Sequence, residues 1–333
     1  MGRQITVGLA AGLAAALVYG SVGAGTPVAF LLFYIASLPL FIAGLGWGWT
    51  TAGLGAVVGV VATGLVVGLF GALVFLLAVG APATWLSYLA NLSREVQGPG
   101  GTRRDWYPPG RLVAWTAVIA GALILPTIAA FGFSLEAYEA SIRELFARML
   151  ASDAPNRPEL PSEIDADQLA AFFVRYMPPV SVIVAMATML ANLYLAARIV
   201  LISGRLMRPW PDIWRLELPN GLAIALIASL IASFLPGLAG MIAGAFAAGF
   251  AFAYTLQGLA VMHVVTLPSP ARPLFLGAVY FTLLFLGWAG PILSWSGLAL
   301  AMLGIGESVL NLRARTFARM KGRGGPPAPG NDN

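Results

Sequence analysis

The chain has 333 residues, 59% hydrophobic and 10% charged, with a mean hydropathy of +0.84 and a formal net charge of +5. That balance excludes an ordinary soluble domain and places the chain in the membrane class. The absence of Cys excludes a disulfide framework, thiolate metal sites and a Cys nucleophile.

No Asp, Glu, Lys, Arg or His stands between Arg3 and Arg94, a run long enough for four helices at about twenty residues each. Gly and Pro cluster at Gly23 to Pro27, Gly44 to Trp49 and Gly68 to Gly71, which places the turns. The predicted spans are 5–22, 28–45, 50–68 and 71–92. In the first of them small residues recur four apart: Gly8 and Gly12, Ala10 and Ala14, Ala11 and Ala15. Such stripes let two backbones approach where lipid gives no hydrophobic drive, so this face packs either inside the bundle or on a partner helix. Pro39, Pro82 and Pro126 fall within spans and free carbonyls for a cavity or a neighbouring helix.

A fifth span is predicted over 112–133, followed by a loop over 134–177 that is net acidic. Leu135, Tyr138, Ile142, Leu145, Phe146 and Met149 recur at helical spacing after the cap Ser134, with Glu136 in the first turn. Ser162 and Asp165 resemble a capping box that opens a second helix, whose Leu169, Phe172, Phe173 and Tyr176 can cover the first. The pair either lies on the bilayer surface or forms a lid.

A sixth span over 178–203 leads into the linker RPWPDIWRLELPN, Arg208 to Asn220. Two more spans fit in 218–271, broken at Pro236-Gly237, and a last pair in 273–311, broken at Gly287 to Pro291. The fold class is therefore all-α: a polytopic membrane helical bundle of about ten spans, or about eight if the short runs are re-entrant. One membrane domain covers 1–318, and the tail 319–333 ends in a Gly/Pro-rich stretch expected to be disordered.

Charge fixes the orientation. With both termini cytoplasmic, every Lys and Arg falls inside except Arg143, Arg148, Arg157 and Arg175 of the acidic loop. Trp47, Trp49, Trp210 and Trp214 then lie at inner turns, and Trp288 and Trp295 at an outer one. The start MGRQIT matches an acylation pattern and small residues follow Tyr19 as at a cleavage site, yet both patterns are permissive, and an even span count needs an uncleaved first helix.

Polar residues inside spans are the functional pointers, because burying them in lipid is costly. Asn192, Arg198, Gln257, His263, Glu307 and Asn311 lie on the sixth, eighth and tenth predicted spans, where they can form a polar layer with Glu307 paired to Arg198. The alternative is that Arg198 and Glu307 snorkel to the headgroups. Catalytic sets are missing: one His, one Lys at Lys321 and no GxSxG elbow leave no catalytic residue, metal site or cofactor to propose. The basic residues answer to topology and anionic lipid rather than nucleic acid.

Three pieces in order resemble a known family: Asn192 with Arg198 ahead of the Pro-Trp-Pro linker ending in Leu218-Pro219, Gln257 to Leu259, and Gly304-x-x-Glu307 ahead of Asn311-Leu312-Arg313. Together they resemble the YybS-like predicted bacterial membrane proteins, domain of unknown function 2232. The N-terminal half is distantly similar to the substrate-binding membrane subunits of energy-coupling-factor transporters, whose first helix contacts an energising partner through Ala-x-x-x-Ala. That resemblance implies a multi-pass protein of the bacterial inner membrane that binds an unknown small molecule and docks on other membrane subunits. The alternative is a membrane scaffold or assembly factor that transports nothing.

Overall fold

The structure is a computed structural model that describes residues 2–98, 101–151, 166–212, 214, 216–284 and 291–322. Ser162, Asp165, Trp288, the turn from Gly287 and the tail beyond Gly322 lie outside the described residues. The chain is helical nearly throughout and multi-pass. In order it forms α1 (Gly2–Gly20), α2 (Pro27–Tyr34), α3 (Leu38–Trp47), α4 (Trp49–Val67), α5 (Leu69–Phe75), α6 (Ala81–Asn91), a hairpin of β1 (Ser93–Gly98) and β2 (Gly101–Trp106), α7 (Pro109–Ala122), α8 (Ile124–Ala130) and α9 (Leu135–Ala151). Then follow α10 (Ala166–Ile202), α11 (Gly221–Ala232), α12 (Gly237–Val265), α13 (Arg272–Leu284), α14 (Pro291–Leu310) and α15 (Leu312–Gly322).

Seven stretches among the described residues are long and apolar enough to cross a membrane, and the bent pair α14 and α15 makes an eighth. The expected span at α11 falls short: its 12 residues rise only about 18 Å, less than the roughly 30 Å of the hydrocarbon core. Of α13, 13 residues are described, up to Leu284. Large apolar side chains such as Leu17, Leu65, Val66, Ile224 and Val309 face outward, which is the arrangement lipid favours.

Three spans are broken, each one turn before a proline. Pro39 has no N–H for the carbonyl of Ile35, and the chain breaks between α2 and α3 there. Pro82 follows a π-helical turn at Leu76–Gly80, and Pro126 follows the break at Leu123 between α7 and α8. By contrast Pro178 and Pro179 sit inside α10 without ending it.

That last fact changes the outer loop. The predicted second loop helix and the sixth span are one helix of 37 residues, about 55 Å long at 1.5 Å per residue, so its first turns extend past the hydrocarbon. Helix α9 packs on this extension, with Phe146 4.7 Å from Phe173 between ring centroids and Arg143 2.6 Å from Asp167. The Ser134 hydroxyl caps α9 as expected, accepting from the Ala137 N–H at 3.0 Å. Phe172 and Tyr176, expected to cover α9, point outward instead, and Ala170 and Val174 take the buried positions.

The described residues cluster into two compact units within what the sequence reads as one domain. The first comprises Met1–Pro108, Trp115–Trp210 and Ser229–Gly249; the second comprises Pro109–Ala114, Pro211–Ala228 and Phe250–Asn333. In the first unit α1 lies directly against α4. A Cβ at Gly12 would overlap the Gly55 carbonyl oxygen, and Gly55 and Gly59 approach the carbonyls of Gly8 and Gly12 in return. The stripe of Gly8 and Gly12 is thus spent on internal packing, and Ala11 and Ala15 are buried in the same unit. Ala10 remains exposed and Ala14 is half-buried.

Candidate functional site

The second unit holds a buried polar node, and it starts at a kink. Helices α14 and α15 meet at 68°, and the residue between them, Asn311, takes a left-handed φ of 49°, a conformation Asn tolerates better than most residues. The kink points the first N–H groups of α15 back at α14. Glu307 receives them: its carboxylate accepts from the Leu312 N–H at 2.8 Å and from the Arg313 N–H at 3.4 Å. An acidic group at a helix N-terminus is favoured by the helix dipole as well as by these donors.

The side chain of Arg313 closes the node. Its Nε donates to Glu307 at 2.8 Å, and its Nη1 donates to the carbonyls of Trp214 at 2.8 Å and Leu216 at 3.2 Å. The exposed Glu217 lies 3.5 Å from Nη2. Glu307 and Arg313 are only 6% and 7% exposed, so this is a buried ion pair with its remaining donors and lone pairs in use. Gln257 on α12 adds a second tie: its Oε1 accepts from the Leu218 N–H at 2.8 Å, and its Nε2 donates to the Gly304 carbonyl at 2.7 Å.

Glycines bring the backbones close enough for this. A Cβ on Gly258 would overlap the Leu300 carbonyl, one on Gly304 the Tyr254 carbonyl, and one on Gly110 the Glu217 carbonyl. The linker from Trp214 to Leu218 is therefore held from three directions: by Arg313, by Gln257 and by the backbone at Gly110.

Of the six residues expected to form a polar layer, Gln257, Glu307 and Asn311 meet here, the last as the turn rather than as a ligand. The expected Arg198–Glu307 pair is corrected: Glu307 pairs with Arg313, and the Arg198 guanidinium lies 5.0 Å over the Trp210 ring in the first unit. Asn192 is also in the first unit, donating to the Tyr34 carbonyl at 2.7 Å. That carbonyl is left over at the α2–α3 break, where the Leu38 N–H turns to Ile35 instead. His263 bonds the Tyr280 hydroxyl at 2.9 Å.

Sequence reasoning missed Arg313, which reads as one more topological charge. It also missed the β-hairpin, where Arg94 and Asp105 pair at 3.0 Å across strands; Gly98-Pro99-Gly100-Gly101 between two charged runs was the available signal.

The node fastens α14, α15 and the linker together: Glu307 accepts from Arg313 and from the α15 N–H groups, and Arg313 donates from Nε and Nη1. Three of the pieces that carry the family resemblance, the Leu218 end of the linker, Gln257-Gly258-Leu259 and Gly304-x-x-Glu307 with Asn311-Leu312-Arg313, converge in it. In comparisons with known proteins, the family model described as Predicted membrane protein (DUF2232) matches residues 12–294. No curated protein and no solved structure matches the chain.

Proposed function

We propose a function for a chain that belongs to the DUF2232 family of predicted membrane proteins: it is a non-enzymatic, transporter-like subunit of the bacterial inner membrane. Its arginine-rich linker faces the cytoplasm, it takes up a small molecule, and it docks on an energising module through α1. One observation carries this reading. Ala10, Leu13, Ala14 and Leu17 share a face of α1 at i, i+3, i+4 and i+7; Ala10, Leu13 and Leu17 are exposed there and Ala14 is half-buried, while Gly8, Ala11, Gly12 and Ala15 are buried. Small residues between leucines make a groove into which a ridge on a partner helix fits.

The similarity to energy-coupling-factor substrate-binding subunits, where Ala-x-x-x-Ala on the first helix meets the partner, gives Ala10 and Ala14 that role. The rival reading is a scaffold in envelope or developmental processes, to which the α9–α10 extension would offer a docking point outside the membrane. Gentle solubilisation and identification of what co-purifies separates them. An ATPase pair is expected, and its recovery should fall about tenfold, the equivalent of 1.4 kcal/mol, when Ala10 and Ala14 are both changed to Leu. The thermal midpoint should not move. Recovery of envelope proteins alone would favour the scaffold.

A further inference from the structure

Three guanidinium groups sit at the end of α10 and just beyond it, and each faces a neutral partner. Arg198 lies 5.0 Å over Trp210 and Arg205 lies 4.8 Å over Trp47. Arg208 reaches further in, donating Nη1 to the Ala90 carbonyl at 3.2 Å and Nη2 to the Tyr107 carbonyl at 3.3 Å. Its burial pulls its pKa below the usual arginine value, as desolvation of a cation does. The nearby acids of the hairpin, Asp105 and Glu95, are already paired with Arg94 and Arg104.

Two N–H donors are also left over. Arg208 Nε and Trp47 Nε1 are shut from solvent and have no acceptor, and buried donors are rarely left so without a reason. The packing brings them to one end of the unit. Arg208 holds the last turn of α6 at Ala90; the next residue, Asn91, donates to the Gly44 carbonyl at 2.9 Å; Gly44 is one turn before Trp47 on α3; and Arg205 covers the Trp47 ring. Stacking on indole fixes a guanidinium plane while leaving its N–H edge free to bond.

We propose that this end of the first unit binds a phosphate-bearing anion, held by Arg205 and Arg208 with Trp47 Nε1–H as a neutral donor and Arg198 supplying additional charge. A phosphate group has the several acceptor oxygens and the negative charge that forked guanidinium groups and an orphan indole N–H require. Either the phosphodiester of an anionic lipid headgroup or free phosphate supplies that chemistry.

The test uses the full-length protein purified in a maltoside detergent, with phosphatidylglycerol, phosphatidylcholine and inorganic phosphate as probes. Native mass spectrometry should show phosphatidylglycerol retained roughly tenfold more tightly than phosphatidylcholine, as charge-assisted hydrogen bonds predict. If inorganic phosphate displaces the lipid or raises the thermal midpoint by itself, the occupant is free phosphate; if it does neither, the occupant is the headgroup. Arg205→Gln with Arg208→Gln should abolish the preference. Should that variant fail to fold, Trp47→Phe, which keeps every charge and removes one donor, should weaken retention several-fold. Equal retention of the two lipids with no response to phosphate, or an unchanged preference in the variants, would overturn the proposal.

Discussion

Replacing Arg313 by Ala is expected to cost about 3–5 kcal/mol, because removing one member of a buried ion pair leaves the other charged and unpaired. The carboxylate left behind is Glu307, 6% exposed, which would keep only the two backbone N–H groups of α15. The Trp214 and Leu216 carbonyls would lose their donor in the same step. Thermal unfolding in detergent, followed by size-exclusion chromatography, should show a lowered midpoint and reduced folded yield. Adding Glu307→Gln to Arg313→Ala should recover part of the loss, since a neutral amide needs no counter-charge. Additive losses in the double variant would mean the two side chains are not coupled.

The second large effect belongs to the crossing of α12 and α14. Gly304→Ala adds only a methyl group, yet that methyl would overlap the Tyr254 carbonyl oxygen, a backbone atom that cannot rotate away. Overpacking of this kind costs about 1–3 kcal/mol or more, and here the displaced backbone also carries the Gln257–Gly304 hydrogen bond. Gly258→Ala should behave alike, because its Cβ meets the Leu300 carbonyl. Gly277→Ala on α13 is the control: nothing lies within 4 Å of its Cβ, and by helix propensity it should be neutral or stabilising by up to about 1 kcal/mol. The midpoints of the three variants in one detergent check the ordering. A Gly304→Ala midpoint equal to that of Gly277→Ala would mean the two helices do not touch there.

What could be read from the sequence, and what could not, divides along physical lines. The spans, the Ser134 cap and the linker between spans were legible because hydropathy, capping and charge bias are local. So was the disturbance at Pro39, Pro82 and Pro126, where a missing N–H cannot bond the carbonyl four residues earlier.

The partner of Glu307 was not legible for a definite reason. On a straight helix a residue six positions on sits about 240° round the axis, so Arg313 would point away. Only the left-handed turn at Asn311 folds it back, and an Asn near a helix end does not announce that geometry. The register of α1 was hidden in a similar way. Ala10, Ala11, Gly8 and Gly12 offer three overlapping stripes, and the choice among them is made by Gly55 and Gly59 on α4, a tertiary fact. Pro178-Pro179 read as the start of a span, but membrane helices accommodate proline, and α10 runs straight through.

The central claim, that the outer face of α1 is where a partner docks, is met most directly by site-specific photo-crosslinking in the native membrane. A photoreactive amino acid is placed at Ala10 in one full-length chain and at Ala11 in another. The account predicts that the Ala10 probe captures a second polypeptide, an ATPase-containing module, while the Ala11 probe reacts only within its own chain. Capture of lipid alone at Ala10, or the same products from both positions, would contradict it.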